Sequence, residues 1–168
     1  MMHAAGDRPD AADPIEDDLV HPARPALDAL FRADPFARSL GIELDDWGLG
    51  WAEVSATPTA VHGNFLGPLH GGFLFSLADV AMAYAGNSWG RMSLALSMEI
   101  QYVRAGASGA RLRAVARCRS RTRRISAFGI DVTDHDDRLL ATLQGMNYRT
   151  DNWHLDDEPW PADWRARF

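Results

Sequence analysis

A chain of 168 residues, 46% hydrophobic and 24% charged, is sized and composed for one globular domain with a real core. The net charge of −6, the lack of an apolar run long enough to span a bilayer, and a single cysteine argue against a membrane protein, a disulfide framework and a general nucleic-acid binder. The opening MMHAAGDRPDAADPIEDD has no basic-then-apolar leader pattern, so a cytoplasmic location is expected.

Residues 1–24 form an acidic stretch: positions 1–18 hold six acids against Arg8 alone, and large apolar groups are too sparse to offset the entropy of ordering, so a disordered tail is expected. From Pro25, the residues Leu27, Leu30, Phe31, Phe36 and Leu40 recur at helical spacing, broken by Pro35 and closed by Gly41. They predict a short amphipathic helix, kinked at ADP. The run GIELDDWGLGWAEVSATP sets β-type residues about a WGLGW turn and predicts a hairpin or a bent strand ending at Pro58. A loop over 59–69 leads into a long helix, apolar on every side from Gly71 to Gly86 except at Ser76, Asp79 and Tyr84.

After Gly90 the period changes from helical to alternating. Leu94, Leu96, Met98, Ile100 and Tyr102 predict one strand with a buried face. Leu112, Ala114, Ala116 and Cys118, set against Arg111, Arg113, Arg117 and Arg119, predict a second. RISAFGIDVTD and RLLATLQGMNY, joined by the turn DHDD, predict a hairpin. A helix, a hairpin, a long helix and then four strands favour an α+β class with an antiparallel sheet over a doubly wound fold. The folded domain is expected over 25–150, with 151–168 a Trp-rich acidic C-terminal tail.

An all-apolar helix must be enclosed, so Asp79 lies at least partly out of water, where an ionised carboxylate is costly unless donors or a water channel meet it. One reading has it hydrogen-bonded to Ser76, one turn away. The other gives it chemistry, because Gly71 and Gly72 present bare N–H groups at the head of the same helix, where an oxyanion or polarised carbonyl is favoured. Gly71 and Asp79 are ~12 Å apart along one helix, too far to hold one reacting group. A second copy with its helix antiparallel would bring the two together, which points to a dimeric site.

The run Asn64, His70, Gly71, Gly72 and Asp79 inside HGGFLFSLADVAMAYAGNS resembles the hotdog-fold thioesterases, and among them the PaaI-type acyl-CoA thioesterases of phenylacetate breakdown. The likeness runs from DPFARSLGIEL to about Arg149. It implies a long central helix wrapped by an antiparallel sheet of about five to six strands, a homo-oligomer that is a dimer or a dimer of dimers, and an active site at the dimer interface. Carried onto this chain, it makes Asp79 the nucleophile or general base, Gly71 the amide that polarises the thioester carbonyl, Asn64 the residue that positions water or carbonyl, and His70 an orienting group. It implies hydrolysis of an aryl- or short- to medium-chain acyl-CoA, with coenzyme A part of the substrate and no separate cofactor. The position where some relatives carry a Ser or Thr on the strand after the helix is Ala95 here, with Ser93 and Ser97 expected two residues away on the same strand face and Ser97 the candidate substitute.

From Gln101 to Ile130 there are eight arginines and no acid. Arg111 to Arg119 read as a solvated strand face, whereas Arg121, Arg123, Arg124 and Arg104 are candidates to hold the phosphates of coenzyme A. Gly72 offers close approach, and Phe65, Phe73 and Tyr84 offer an aromatic lining for the acyl group. No metal is expected: His62, His70 and Asp79 match no ligand spacing, and DHDD reads as a solvated turn. The alternative to an enzyme is a non-catalytic acyl-CoA-binding sensor or accessory hotdog subunit, which would have no use for an ionisable group at position 79.

Overall fold

The computed structural model describes residues 20–156 and 159–168; the expected acidic tail lies, for positions 1–19, outside them. Among the described residues two short helices come first, α1 (Arg24–Arg32) and α2 (Pro35–Ser39). They are separate because Asp34 accepts hydrogen bonds from the N–H groups of Phe36 and Ala37 at 2.8 and 3.1 Å, with Pro35 at the first helical position, so α2 starts afresh where ADP predicts a kink. Leu27 and Phe31 turn inward, while Leu30 and Phe36 remain exposed.

Strands β1 (Glu43–Gly48) and β2 (Trp51–Ala56) form the expected hairpin. The long helix α3 (Gly71–Asn87) follows, then β3 (Arg91–Tyr102), β4 (Leu112–Arg121), β5 (Ile125–Thr133), β6 (Leu139–Trp153) and a short α4 (Ala162–Arg167). The six strands make one sheet in the order β1-β2-β4-β5-β6-β3, antiparallel at every step. Helix α3 packs on the face carrying Leu112, Ala114 and Ala116 of β4, Phe128, Ile130 and Val132 of β5, and Ala141 and Leu143 of β6, all buried. The many alanines on that face let the helix sit close, and the apolar surface removed from water on both sides holds the pair together.

The enclosure of α3 is incomplete. Gly72, Phe75, Ser76, Asp79, Ala83 and Asn87 recur at helical spacing and are only half-buried, one stripe that the sheet leaves uncovered. The stripe runs beside β3 in the opposite direction. At one end Gly71 meets Tyr102; at the other Asn87 clasps Ser93, accepting from its N–H at 2.8 Å and donating to its carbonyl at 3.1 Å.

Strand β3 differs from its alternating pattern. Bulges at Arg91/Ser93 and Ala95/Ser97 change which side chains face α3, so Leu94 pairs with Tyr148 and is 64% exposed, while only Met98 and Ile100 pack against the core. As the outer strand beyond β6, β3 also has one edge without a partner strand among the described residues.

The expected boundary at 150 falls inside β6, and the residues after it fold onto the body. Trp160 and Trp164 are buried, with their indole N–H groups donating to the carbonyls of His154 at 2.6 Å and Trp89 at 2.9 Å. His21, at the other end of the domain sequence, stands edge-on to Trp47, Trp160 and Trp164. Two large aromatic rings supply enough buried area to fasten a segment whose acidic composition alone suggests a tail.

Candidate active site

Short-range bonds shape the loop before α3. Gly63 and Leu69 form a bridge, Asn64 N–H donates to the Pro68 carbonyl at 2.7 Å, and Leu66 N–H donates to Asn64 Oδ1 at 2.8 Å. Asn64 is thus the turn former of this loop, with its side-chain NH2 group the remaining donor. The loop carries Phe65 and Leu66 at a tip exposed by 96% and 74%.

His70 caps α3. Its Nδ1 accepts from Gly72 N–H at 2.8 Å, which puts the proton of the neutral ring on Nε2, and its carbonyl accepts from Phe73 N–H at 3.0 Å. Between these two bonds the Gly71 N–H finds no acceptor among the described residues. A Cβ at Gly72 would stand 2.9 Å from His70 Nδ1, so glycine is what lets the imidazole close over the first turn. The head of α3 therefore offers one unshared N–H with the partial positive charge of the helix behind it.

Asp79 sits further along the half-buried stripe. Burial first, and the negative charge of Asp34 second, push its carboxyl above the ordinary carboxylate range; no hydrogen bond from Ser76 or any other described residue counteracts them. The reading that ties Asp79 to Ser76 is not what the chain adopts. Asp34 is held by the first turn of α2 and lies 3.4 Å from the Tyr84 hydroxyl, which donates to the Phe31 carbonyl at 2.9 Å. Burial, with Asp34 beside it, raises the Tyr84 phenol so far that it stays a neutral donor. Asp34 and Tyr84 are the site's supporting groups that sequence reasoning does not single out as such; the D-P start of α2 is the available signal for Asp34.

Other expected residues lie elsewhere. Phe73 is buried, with its ring 4.7 Å from that of His62, and Tyr84 is stacked on Phe31, so neither lines an open cleft in the single chain. The bulge at Ala95/Ser97 pairs Ser97 with Met146 and turns it toward a cleft of about 600 Å³ that also involves Arg119 and contains none of Asn64, His70, Gly71 or Asp79. Ser97 is not on a face with Ser93 or Ala95. Arg104, which donates to the Leu139 carbonyl at 2.8 Å, is at the opposite end of the sheet from Arg121, Arg123 and Arg124. Arg123 and Arg124 reach Asp151 at 3.7 and 2.6 Å, and Arg121 lies over the rings of Trp89 and Phe168. In the DHDD turn, Asp134 accepts from the N–H groups of Asp136 and Arg138 and from the Arg138 guanidinium. No helix among the described residues is long and apolar enough to cross a membrane.

Residues 66–141 match the family model of the thioesterase superfamily. The acyl-coenzyme A thioesterase PaaI of Escherichia coli is 34% identical over 131 residues, 78% of this chain and 94% of that protein. Its structure superposes with a TM-score of 0.73, covering 77% of this chain and 94% of PaaI. A point mutant of the phenylacetic acid degradation protein PaaI from Thermus thermophilus is 35% identical, with a TM-score of 0.67 over 70% of this chain and all of that one. A hypothetical thioesterase from Streptococcus pneumoniae, solved with coenzyme A, shares the fold at 23% identity, with a TM-score of 0.67 over 73% of this chain and 95% of its own.

Proposed function

This chain belongs to the PaaI-type, hotdog-fold branch of the thioesterase superfamily, and from that premise we propose that it hydrolyses aryl- or short- to medium-chain acyl-CoA thioesters at a site shared by two copies. The observation that carries the reading is the unshared Gly71 N–H at the head of α3, with a half-buried, unbonded carboxylate at Asp79 on the uncovered stripe of the same helix.

The thioester carbonyl oxygen takes its hydrogen bond from Gly71 N–H of one copy while Asp79 of the other takes a proton from water. The resulting hydroxide adds to the carbonyl carbon, the C–S bond breaks, and the thiolate leaves to be protonated. Negative charge builds on one oxygen in this step, so a fixed donor aimed there is worth ~3 kcal/mol in the transition state. Alternatively the Asp79 carboxylate adds to the carbonyl carbon in the same geometry, the C–S bond breaks to release the thiolate, and water then cleaves the resulting anhydride to free the acid and restore Asp79. Asn64 contributes its NH2 group to the carbonyl or to water, and His70 holds the first turn in place. Coenzyme A enters as part of the substrate, and the reaction draws on no further cofactor.

A homodimer, alone or paired into a dimer of dimers, is supported by the open face itself: the uncovered stripe of α3, the unpaired edge of β3, and exposed Leu94, Leu96 and Tyr102. The lone cysteine, Cys118, fits a reducing cytoplasm.

Release of free thiol from a panel of acyl-CoAs tests the reading. Turnover on at least one, with a loss of ~100-fold or more in Asp79→Asn, is the expected result. Binding of acyl-CoA without turnover on any thioester would replace the enzyme with a sensor or accessory subunit.

A further inference from the structure

At the end of the sheet away from Gly71, the start of β3, the β4–β5 turn, the end of β6 and helix α4 enclose a cleft of about 440 Å³. Arg91, Arg121, Arg123, Arg149, Arg165 and Arg167 line it, together with Phe168, and Asp151 stands at its edge, paired with Arg91 at 2.8 Å and with Arg123 at 3.7 Å. Its volume falls in the range of small-molecule sites. Helix α4, which lies beyond the segment matched by the family model, supplies two of the six cations.

The floor is built, not merely decorated. Arg149 is 1% exposed and Arg91 8%, and each is held by the protein: Arg91 by Asp151 at 2.8 Å and the Thr150 carbonyl at 2.9 Å, Arg149 by the Thr122 carbonyl at 2.7 Å and the main-chain oxygen of Phe168. Arg121 is clamped between rings, its guanidinium 4.9 Å from the Trp89 centroid and 4.8 Å from that of Phe168. Arg123 and Arg167 reach the rim, exposed. Six guanidinium groups around one cavity, against the single carboxylate of Asp151 at its edge, leave a surplus of positive potential there, and fixed guanidinium planes suit the paired oxygens of phosphate.

We infer that this cleft binds a phosphate-bearing nucleotide group, with α4 completing the site. The phosphates have two sources: the nucleotide end of the acyl-CoA substrate, or a free nucleotide acting on the enzyme. The first rests on the dimeric reading above. Strand β3 runs from the cleft at Arg91 to Tyr102 beside Gly71, so twofold pairing along its open edge sets one copy's cleft at the end where the second copy's Gly71 lies.

Calorimetric titration of the full chain with adenosine 3′,5′-bisphosphate reads binding without turnover, so it stands even if the thioesterase reading falls. The expected result is binding that weakens with salt, and weakens at least ~10-fold in the rim variant Arg123→Gln/Arg167→Gln, whose melting curve matches the wild type. A KM for acyl-CoA raised ~10-fold in that variant, with kcat held and hydrolysis of the N-acetylcysteamine thioester of the same acyl group unaffected, assigns the site to the substrate. An unchanged KM with the same loss of binding assigns it to a free nucleotide. Absence of binding by the wild type, or equal binding by the variant, overturns the inference.

Discussion

The ring of Tyr102 lies across Gly71: a methyl group added at Gly71 would stand 2.9 Å from Cζ and 3.0 Å from the phenol oxygen. The end of β3 is thereby fitted to the head of α3 at the unshared amide. Gly71→Ala keeps the N–H but forces the turn or the ring to move, and kcat/KM is expected to fall by ~10-fold or more, since a donor displaced by a fraction of an ångström loses its aim. Gly71→Ala/Tyr102→Ala makes room for the methyl group and should recover part of the loss. Kinetics of the single and double variants decide the matter, and an unchanged single variant would show that this fit is immaterial to catalysis.

Asp79→Asn should separate stability from function. The carboxyl is raised in the folded chain, so its contribution to stability is fully present below the unfolded value near 3.8 and lost as pH rises through the raised folded value. At pH 7 the wild type carries that penalty and the amide does not. The variant is therefore expected to melt a few degrees higher at pH 7, with the gap closing near pH 4, while its turnover collapses. Equal melting temperatures at pH 7 would mean that the carboxylate is better solvated than its surroundings indicate.

The elements legible in the sequence are those that local periodicity defines. The apolar stretch from Gly71 and the alternation of Leu112, Ala114 and Ala116 against arginines each depend on neighbours in sequence, and both elements form where expected. Strand β3 departs from its expected faces because a bulge is a relation between two strands: nothing in LALSMEIQYV marks the register shift that pairs Ser97 with Met146. The charge arrangement around Asp79 is hidden for a similar reason, since Asp34 lies 45 positions upstream and meets α3 only once the chain has folded. The C-terminal segment misleads through composition: acids outnumber its cations, yet Trp160 and Trp164 decide where it goes.

Asp34→Asn tests whether the second acid tunes the first. Asparagine caps a helix about as well as aspartate, so α2 should persist with stability changed by no more than ~0.5 kcal/mol. Removing the negative charge takes away the smaller of the two causes that raise Asp79 and leaves burial, so the Asp79 carboxyl titrates lower. The acidic limb of the kcat/KM profile should shift to lower pH, with the plateau rate similar to wild type. A limb that stays in place would assign the whole elevation to burial.

His21 gives the opposite pH dependence at the aromatic clamp. Its Nε2 meets the Ser88 carbonyl at 2.8 Å and its Nδ1 accepts from Ala23 N–H at 3.2 Å, the pattern of a neutral ring, and burial lowers its pKa below the unfolded value of 6.5. A depressed group contributes stability above its unfolded value and loses it as pH falls through the folded one, so the clamp weakens from about pH 6.5 downward, where the Asp79 penalty is also being relieved. His154, also lowered by burial and joined to Asn87 Oδ1 at 2.7 Å, adds to the loss. Because the His21 ring packs on Trp47, Trp160 and Trp164, and His154 ties the segment before Trp160 to Asn87, tryptophan emission is expected to shift to the red on acidification before the far-ultraviolet circular dichroism changes. His21→Gln, which keeps an N–H for Ser88 and cannot charge, should flatten the dependence of melting temperature on pH between 7 and 5. If the wild type and this variant lose stability in parallel over that interval, protonation of His21 is not what loosens the clamp.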